Sequence, residues 1–235
     1  MTVVKRILCL ANSKKMSGRC VAGREVADDG PGGWIRPVSE RLTEEVSEDE
    51  RQYQNGADPR LLDVIDVPLI RAAPHGCQTE NWLLDPGYYW SRVRRVGWAE
   101  LQGYVEAPAT LWTNGRSTYN GANDEIPQAE ADRLPNSLVL IRVPALELKV
   151  FAPRAHFGDP KRRVQAVFAY RHVRYMLWVT DPVIEREFKA QPDGTYPLGE
   201  CCLCVSLGEP FHKQNGESCR YKLVAAVMRR EGIQP

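Results

Sequence analysis

Residues 174–190 read RYMLWVTDPVIEREFKA, a β-rich run that turns directly into an amphipathic helix. Tyr175, Leu177 and Val179 alternate with Arg174, Met176 and Trp178, the period of a strand with one buried face. Asp181 then supplies an N-cap and Pro182 fits the first helical position. Val183, Ile184 and Phe188 are read as one apolar helical face.

Around this unit lie four more strand-like runs: LELKVF (146–151), RRVQAVFAY (162–170), CCLCVSL (201–207) and YKLVAAVM (221–228). The helix falls between the third and fourth. Five strands with a helix in that place is the order of an OB-fold, a small Greek-key barrel. The same order is read upstream in 2–11, 18–25, 33–39, 63–70 and 137–143, with the acidic stretch 40–52 in the helix position. The expected fold is therefore mainly β, two OB-like five-stranded barrels in tandem, with a single β-sandwich as the competing architecture. The expected boundaries are 1–143 and 146–235, with residues 71–136 inserted between strands four and five of the first barrel. That insertion is rich in aromatics (Trp82, Tyr88, Tyr89, Trp90, Trp98, Tyr104, Trp112, Tyr119), so it is expected to fold against a barrel instead of remaining disordered.

Composition narrows the class. Of 235 residues, 43% are hydrophobic and 26% charged, which suits a globular chain with real cores. The apolar runs are short and broken by charge, so no membrane span is expected, and without a secretory h-region the expected location is cytoplasmic. Seven cysteines at irregular spacing fit reduced thiols better than a disulfide framework. Net charge is only +1, but residues 154–178 hold six Lys/Arg against one acid and residues 42–66 hold eight acids against two bases. A neutral total can hide a basic face that attracts a polyanion.

Several segments resemble a known family: CLANSKKMSGRCVAGRE, GGWIRPVS, PHGCQTENWLLDPGYYW, TLWTNG, YNGANDEIP, TDPVIERE, YPLGECCLCVSLGEPF and CRYKLVAAV. Together they resemble the prokaryotic dual-OB-containing domain proteins, collinearly over nearly the whole chain. The resemblance implies two OB-folds and a setting in prokaryotic defence or conflict loci. It implies no catalytic residue and no cofactor.

Candidate binding groups come from the residues themselves. Asn12, Ser13, Lys14, Lys15 and Arg19 are read as the first interstrand loop, with the hydroxyls and cations that hold phosphate oxygens. Trp34 and Arg36 share a strand face and could form a stacking platform with a clamp. His75, Gln78, Glu80 and Asn81 could meet a base edge, since amides and carboxylates match its donors and acceptors. Tyr89, Trp90, Trp112 and Asn120 come from the insertion. Lys161 and Arg162 open a stretch, 157–178, in which Arg163, Arg171 and Arg174 interleave with Phe157, Phe168, Tyr170, Tyr175 and Trp178, the chemistry of a single-strand groove.

Cys201, Cys202, Cys204, His212 and Cys219 suggest zinc, but C-C-x-C is not a knuckle spacing, and buried thiols are the simpler reading. No triad or metal signature points to an enzyme. The leading expectation is a non-catalytic binder of DNA or RNA, single-stranded or locally opened. A sensor of a small nucleotide or modified base and a protein-interaction adaptor are the alternatives.

Overall fold

The computed structural model describes residues 1–230, and the chain divides into two compact units. The first comprises residues 1–105 with 135–137, and the second residues 106–134 with 138–230.

In the first unit β1 (Val3–Lys15), β2 (Gly18–Ala27) and β3 (Gly30–Val38) form a meander. The short helix α1 (Glu48–Arg51) follows, and then come β4 (Asp63–Ala72) and β5 (Asn81–Leu84). α1 is set by a capping box in which Ser47 and Glu50 satisfy each other's backbone N–H. β5 lies parallel to β3 and antiparallel to β4, and β4 returns to pair with β1. The ring β1-β2-β3-β5-β4 is thus closed, in OB-fold order. β6 (Ser91–Arg95) adds to the edge of β4, and helix α2 (Trp98–Leu101) follows it.

The core of this ring is built by alternation. Ile7 and Cys9 of β1 meet Ile65, Val67 and Leu69 of β4, with Val21, Ile35, Leu84, Tyr53 and Trp90 closing the cluster. Closure demands a close approach at Gly23, where a Cβ would lie 2.1 Å from the Leu8 carbonyl oxygen.

The second unit opens with β7 (Glu125–Pro127) and helix α3 (Gln128–Ala131). Its barrel is β8 (Leu138–Phe151), β9 (Arg163–Tyr170), β10 (Val173–Val179), helix α4 (Pro182–Lys189), β11 (Gly194–Leu207) and β13 (Ser218–Arg229), with β12 (Phe211–His212) at the margin. The pairing β10-β9-β8-β11-β13 closes through a parallel β10–β13 contact, a five-stranded barrel of the same OB order. Its core holds Leu146 and Leu148, Ala166 and Phe168, Tyr175 and Leu177, Leu203 and Val205, and Ile184 and Phe188 of α4. The Asp181 carboxylate accepts from the N–H of Val183 and Ile184, as an N-cap should. Val183 itself is exposed, so the buried helix face is Ile184 with Phe188.

The tandem OB reading matches the structure and each strand run read for the second barrel falls on one of its strands, while three parts of the sequence reading are corrected. The runs at 137–143 and 146–151 are one strand, β8, so the expected boundary falls inside it. The fifth strand of the first ring is β5, directly after β4, so no 71–136 insertion separates strands four and five. Most of that aromatic stretch is shared out instead: Trp82 lies in β5, Trp90 in the first core, and residues 106–134 belong to the second unit. Finally, residues 12–15 extend β1, leaving a turn of only Met16 and Ser17 where a longer loop was expected.

Candidate nucleic-acid interface

The outward face of β8, β9 and β10 is where the second barrel presents chemistry. Strand alternation sends Leu148 and Val150, Val164 and Ala166, and Tyr175 and Leu177 into the core. The same alternation turns Lys149 and Phe151, Arg163, and Met176 and Trp178 to the opposite face, each partly exposed, with Gln165 among them but fully buried. Register places Lys149 opposite Gln165 and Gln165 opposite Trp178, one row across three strands. Phe151 is opposite Arg163 in the next row.

These side chains make a compact platform. The Arg163 guanidinium lies 4.0 Å from the Trp178 ring centroid, a close cation–π stack. Phe151 packs beside it, its ring centroid 5.8 Å from that of Trp178. Partial burial pushes the Arg163 pKa down, and Glu185 works against that shift.

A cleft of about 640 Å³ runs along this face. Lys149, Phe151, Gln165 and Met176 line it with Tyr119, Asn120, Thr195 and Asp193, whose carboxylate is paired with Arg162. Tyr119 is 99% exposed, an unpacked aromatic at the rim. The Gln165 amide donates 2.6 Å to the Asn120 carbonyl, which ties that residue to β9, while its Oε1 has no partner. Gly121 beside it has no room for a Cβ, which would sit 1.9 Å from the Asp124 carboxylate. That carboxylate is held by the backbone N–H and hydroxyl of Thr118.

Asn120 is the one proposed contact that lines this cleft. Arg162 is close in sequence but committed: Nε meets Asp193 at 2.7 Å, and its other nitrogens donate to the Lys189 and Gln191 carbonyls. Lys161 is exposed, and Trp112 is half-buried against the second core.

In the first unit the proposed contacts do not form a surface. Trp34 is 8% exposed, and the cation over its ring is Arg24 of the adjacent strand, at 6.0 Å. Arg36 is buried in an ion pair with Glu80, 2.9 Å away, and also donates to the Ser137 hydroxyl. That hydroxyl in turn donates to Glu80. The Trp34–Arg36 platform is therefore corrected to a structural pair of positions, because both side chains are taken out of solvent. Gln78, Glu80 and Asn81 are equally buried, and Asn81 donates to the Gln78 amide oxygen. Ser13 is buried and Asn12 donates to the Pro59 carbonyl. Lys14 is exposed and Arg19 half-exposed, while Lys15 lies 3.9 Å from Glu44. His75 and Tyr89 are exposed at separate turns, and Trp90 is buried.

Cys201, Cys202, Cys204 and Cys219 are buried thiols, and His212 is exposed beside the Ser218 hydroxyl. Burial pushes the Cys201 thiol up to about 12. Among the described residues no group of three or more His, Cys, Asp or Glu side chains is placed to hold a metal, and no helix is long and apolar enough to cross a membrane.

Sequence reasoning missed Lys149, Phe151, Gln165 and Met176 as one surface. The signal was present in LELKVF and RRVQAVF, where every second residue faces away from the core.

A family model for the dual OB-containing domain matches residues 5–227 of the chain. No curated protein and no solved structure matches it.

Proposed function

The chain belongs to the dual OB-containing domain family, and from that premise we propose that its second barrel is a non-catalytic binding module for single-stranded or locally opened nucleic acid. OB-fold domains generally bind nucleic acids or other oligomers. The observation that carries the reading is the Arg163–Trp178–Phe151 platform, whose Phe151 also lines a cleft together with Lys149. A base stacked on Trp178 would gain about 1–3 kcal/mol, and the cations would take backbone charge. Arg163 is already stacked, so it offers a planar cation without first being ordered.

Fluorescence anisotropy of labelled DNA and RNA single strands at low and moderate salt tests this. Binding that weakens as salt rises is expected, because phosphate contacts release counterions. Trp178→Ala should lower affinity by about 5- to 150-fold, the equivalent of one lost stack. The absence of binding to any single strand at low salt would refute the proposal.

A further inference from the structure

The loop bordering the cleft of the second barrel, residues 113–124, is tied to the barrel at both ends. At its start the Asn114 amide oxygen accepts from the Tyr175 hydroxyl and the Lys222 ammonium, and Lys222 also donates to the Thr113 carbonyl. At its end Ala122 and Met176 exchange backbone hydrogen bonds, and the Asp124 carbonyl accepts from the Lys222 N–H. Between these anchors the loop binds itself. The Asn123 amide accepts from the Gly115 N–H and donates to the Arg174 carbonyl, while the Ser117 hydroxyl accepts from the Asn123 N–H. Thr118 is fixed on the Asp124 carboxylate, and the Asn120 carbonyl on Gln165.

This backbone presents two neighbouring side chains that the fold does not use. Tyr119 is 99% exposed and makes no hydrogen bond or ring contact among the described residues, although the residues on either side of it are held. The Asn120 amide is half-exposed and likewise makes no hydrogen bond among the described residues. Both side chains line the cleft that Phe151 and Lys149 also line. An aromatic on an ordered backbone has only two side-chain torsions left to fix, so it gains contact area at little entropic cost.

The chemistry of the pair selects the kind of group it suits. Tyr119 offers a flat π face, and Asn120 a donor beside an acceptor. Those are the needs of the face and the edge of a nucleobase. A phosphate would find no free cation on this loop, whose one basic residue, Arg116, lies 3.9 Å from the Glu217 carboxylate. A purely apolar group would leave the amide unsatisfied.

We propose that Tyr119 and Asn120 form a second base-binding position, in which Tyr119 stacks on a base and the Asn120 amide hydrogen-bonds its edge. The inference rests on the reading of the second barrel as a single-strand binder. It adds to the strand-borne Trp178 platform a contact carried by a pre-ordered loop.

Anisotropy titrations of a labelled single strand against the full chain test this. Tyr119→Ala should lower affinity by about 5- to 150-fold, and Tyr119→Phe, which keeps the π face, should restore most of it. Asn120→Ala should cost about fivefold. The thermal midpoint of Tyr119→Ala should match that of the parent, because the ring touches nothing in the fold. On a strand whose central bases are replaced by abasic residues, the parent should bind more weakly and Tyr119→Ala should cost less than about twofold, since no base remains to stack. Binding that is weakened by Trp178→Ala but not by Tyr119→Ala overturns this inference and leaves the strand-binding reading standing. An equal loss in Tyr119→Phe and Tyr119→Ala, or an undiminished loss on the abasic strand, also overturns it, because the contact would then be to the hydroxyl or to the sugar-phosphate backbone. The absence of binding to any strand overturns both readings.

Discussion

Lys222 shows how one buried residue of the second unit couples folding to pH. It is fully buried in β13, donating to the Thr113 carbonyl at 2.6 Å and the Asn114 amide oxygen at 3.1 Å. Its ammonium also lies 5.4 Å from the Tyr175 ring. Burial pulls its pKa from 10.5 to about 7, and Asp124 only partly resists. Between those values the unfolded chain binds a proton that the folded chain does not, so stability rises with pH across this window. Buried thiols act in the opposite sense. Cys201 titrates near 12 when folded, against 9 when unfolded, so its contribution is lost as pH rises past about 9. Denaturant midpoints between pH 7 and 8.5 should therefore climb, with a slope of at most about 1.4 kcal/mol per unit from this lysine. In Lys222→Met that part of the slope should vanish; an unchanged slope would mean that the lysine is charged in the fold.

At the scale of elements, β8 explains both a success and a failure of sequence reading. Its outer half, LELKVF, announces itself by strict alternation of buried and more exposed residues. The Pro144–Ala145 step looks like a linker, because proline cannot donate to a ladder. In the fold the partner strand β11 shifts register there, from Glu147↔Pro197 to Val143↔Cys201, with Gly199 in a left-handed conformation. The missing N–H falls at this irregularity, so the strand bends and continues. β5 was illegible for a different reason. Its four residues, NWLL, are too few to show a period, and its place is set by parallel pairing with β3. Two glycines separate the forces that shape these barrels. Gly23→Ala drives a Cβ into the backbone of β1, whereas Gly199→Ala meets no atom within 4 Å and suffers only its positive φ. Left-handed geometry costs a non-glycine residue about 1–2 kcal/mol. Chemical denaturation should find Gly23→Ala destabilised by clearly more than that, with Gly199→Ala inside it; equal losses would mean that the close approach at β1 relaxes freely.

For the molecule as a whole, a net charge of +1 means that binding to a polyanion cannot come from bulk attraction and must be built locally. Sequence composition singled out residues 154–178 for this, but could not say which of its cations are already held by carboxylates and carbonyls of the fold. Arg162 is consumed by the Asp193 carboxylate and two carbonyls, Arg171 donates to the Ala107 and Pro108 carbonyls, and Phe168, Tyr170 and Tyr175 are core. What remains at the face is Arg163 on Trp178, Phe151 beside them, and Lys149 across the row, a surface rich in stacking and sparing in charge. Such a surface should bind single strands with a shallow dependence on salt, because each neutralised phosphate contributes only about 0.7 to the slope of log K against log salt. Lys149→Ala should lower that slope by about one phosphate while leaving the stacking contribution intact. Trp178→Ala should do the reverse, reducing affinity at every salt concentration with the slope unchanged. Anisotropy titrations of both variants across a salt series separate the two contributions. A slope that stays fixed in Lys149→Ala would place the phosphate path away from this cleft.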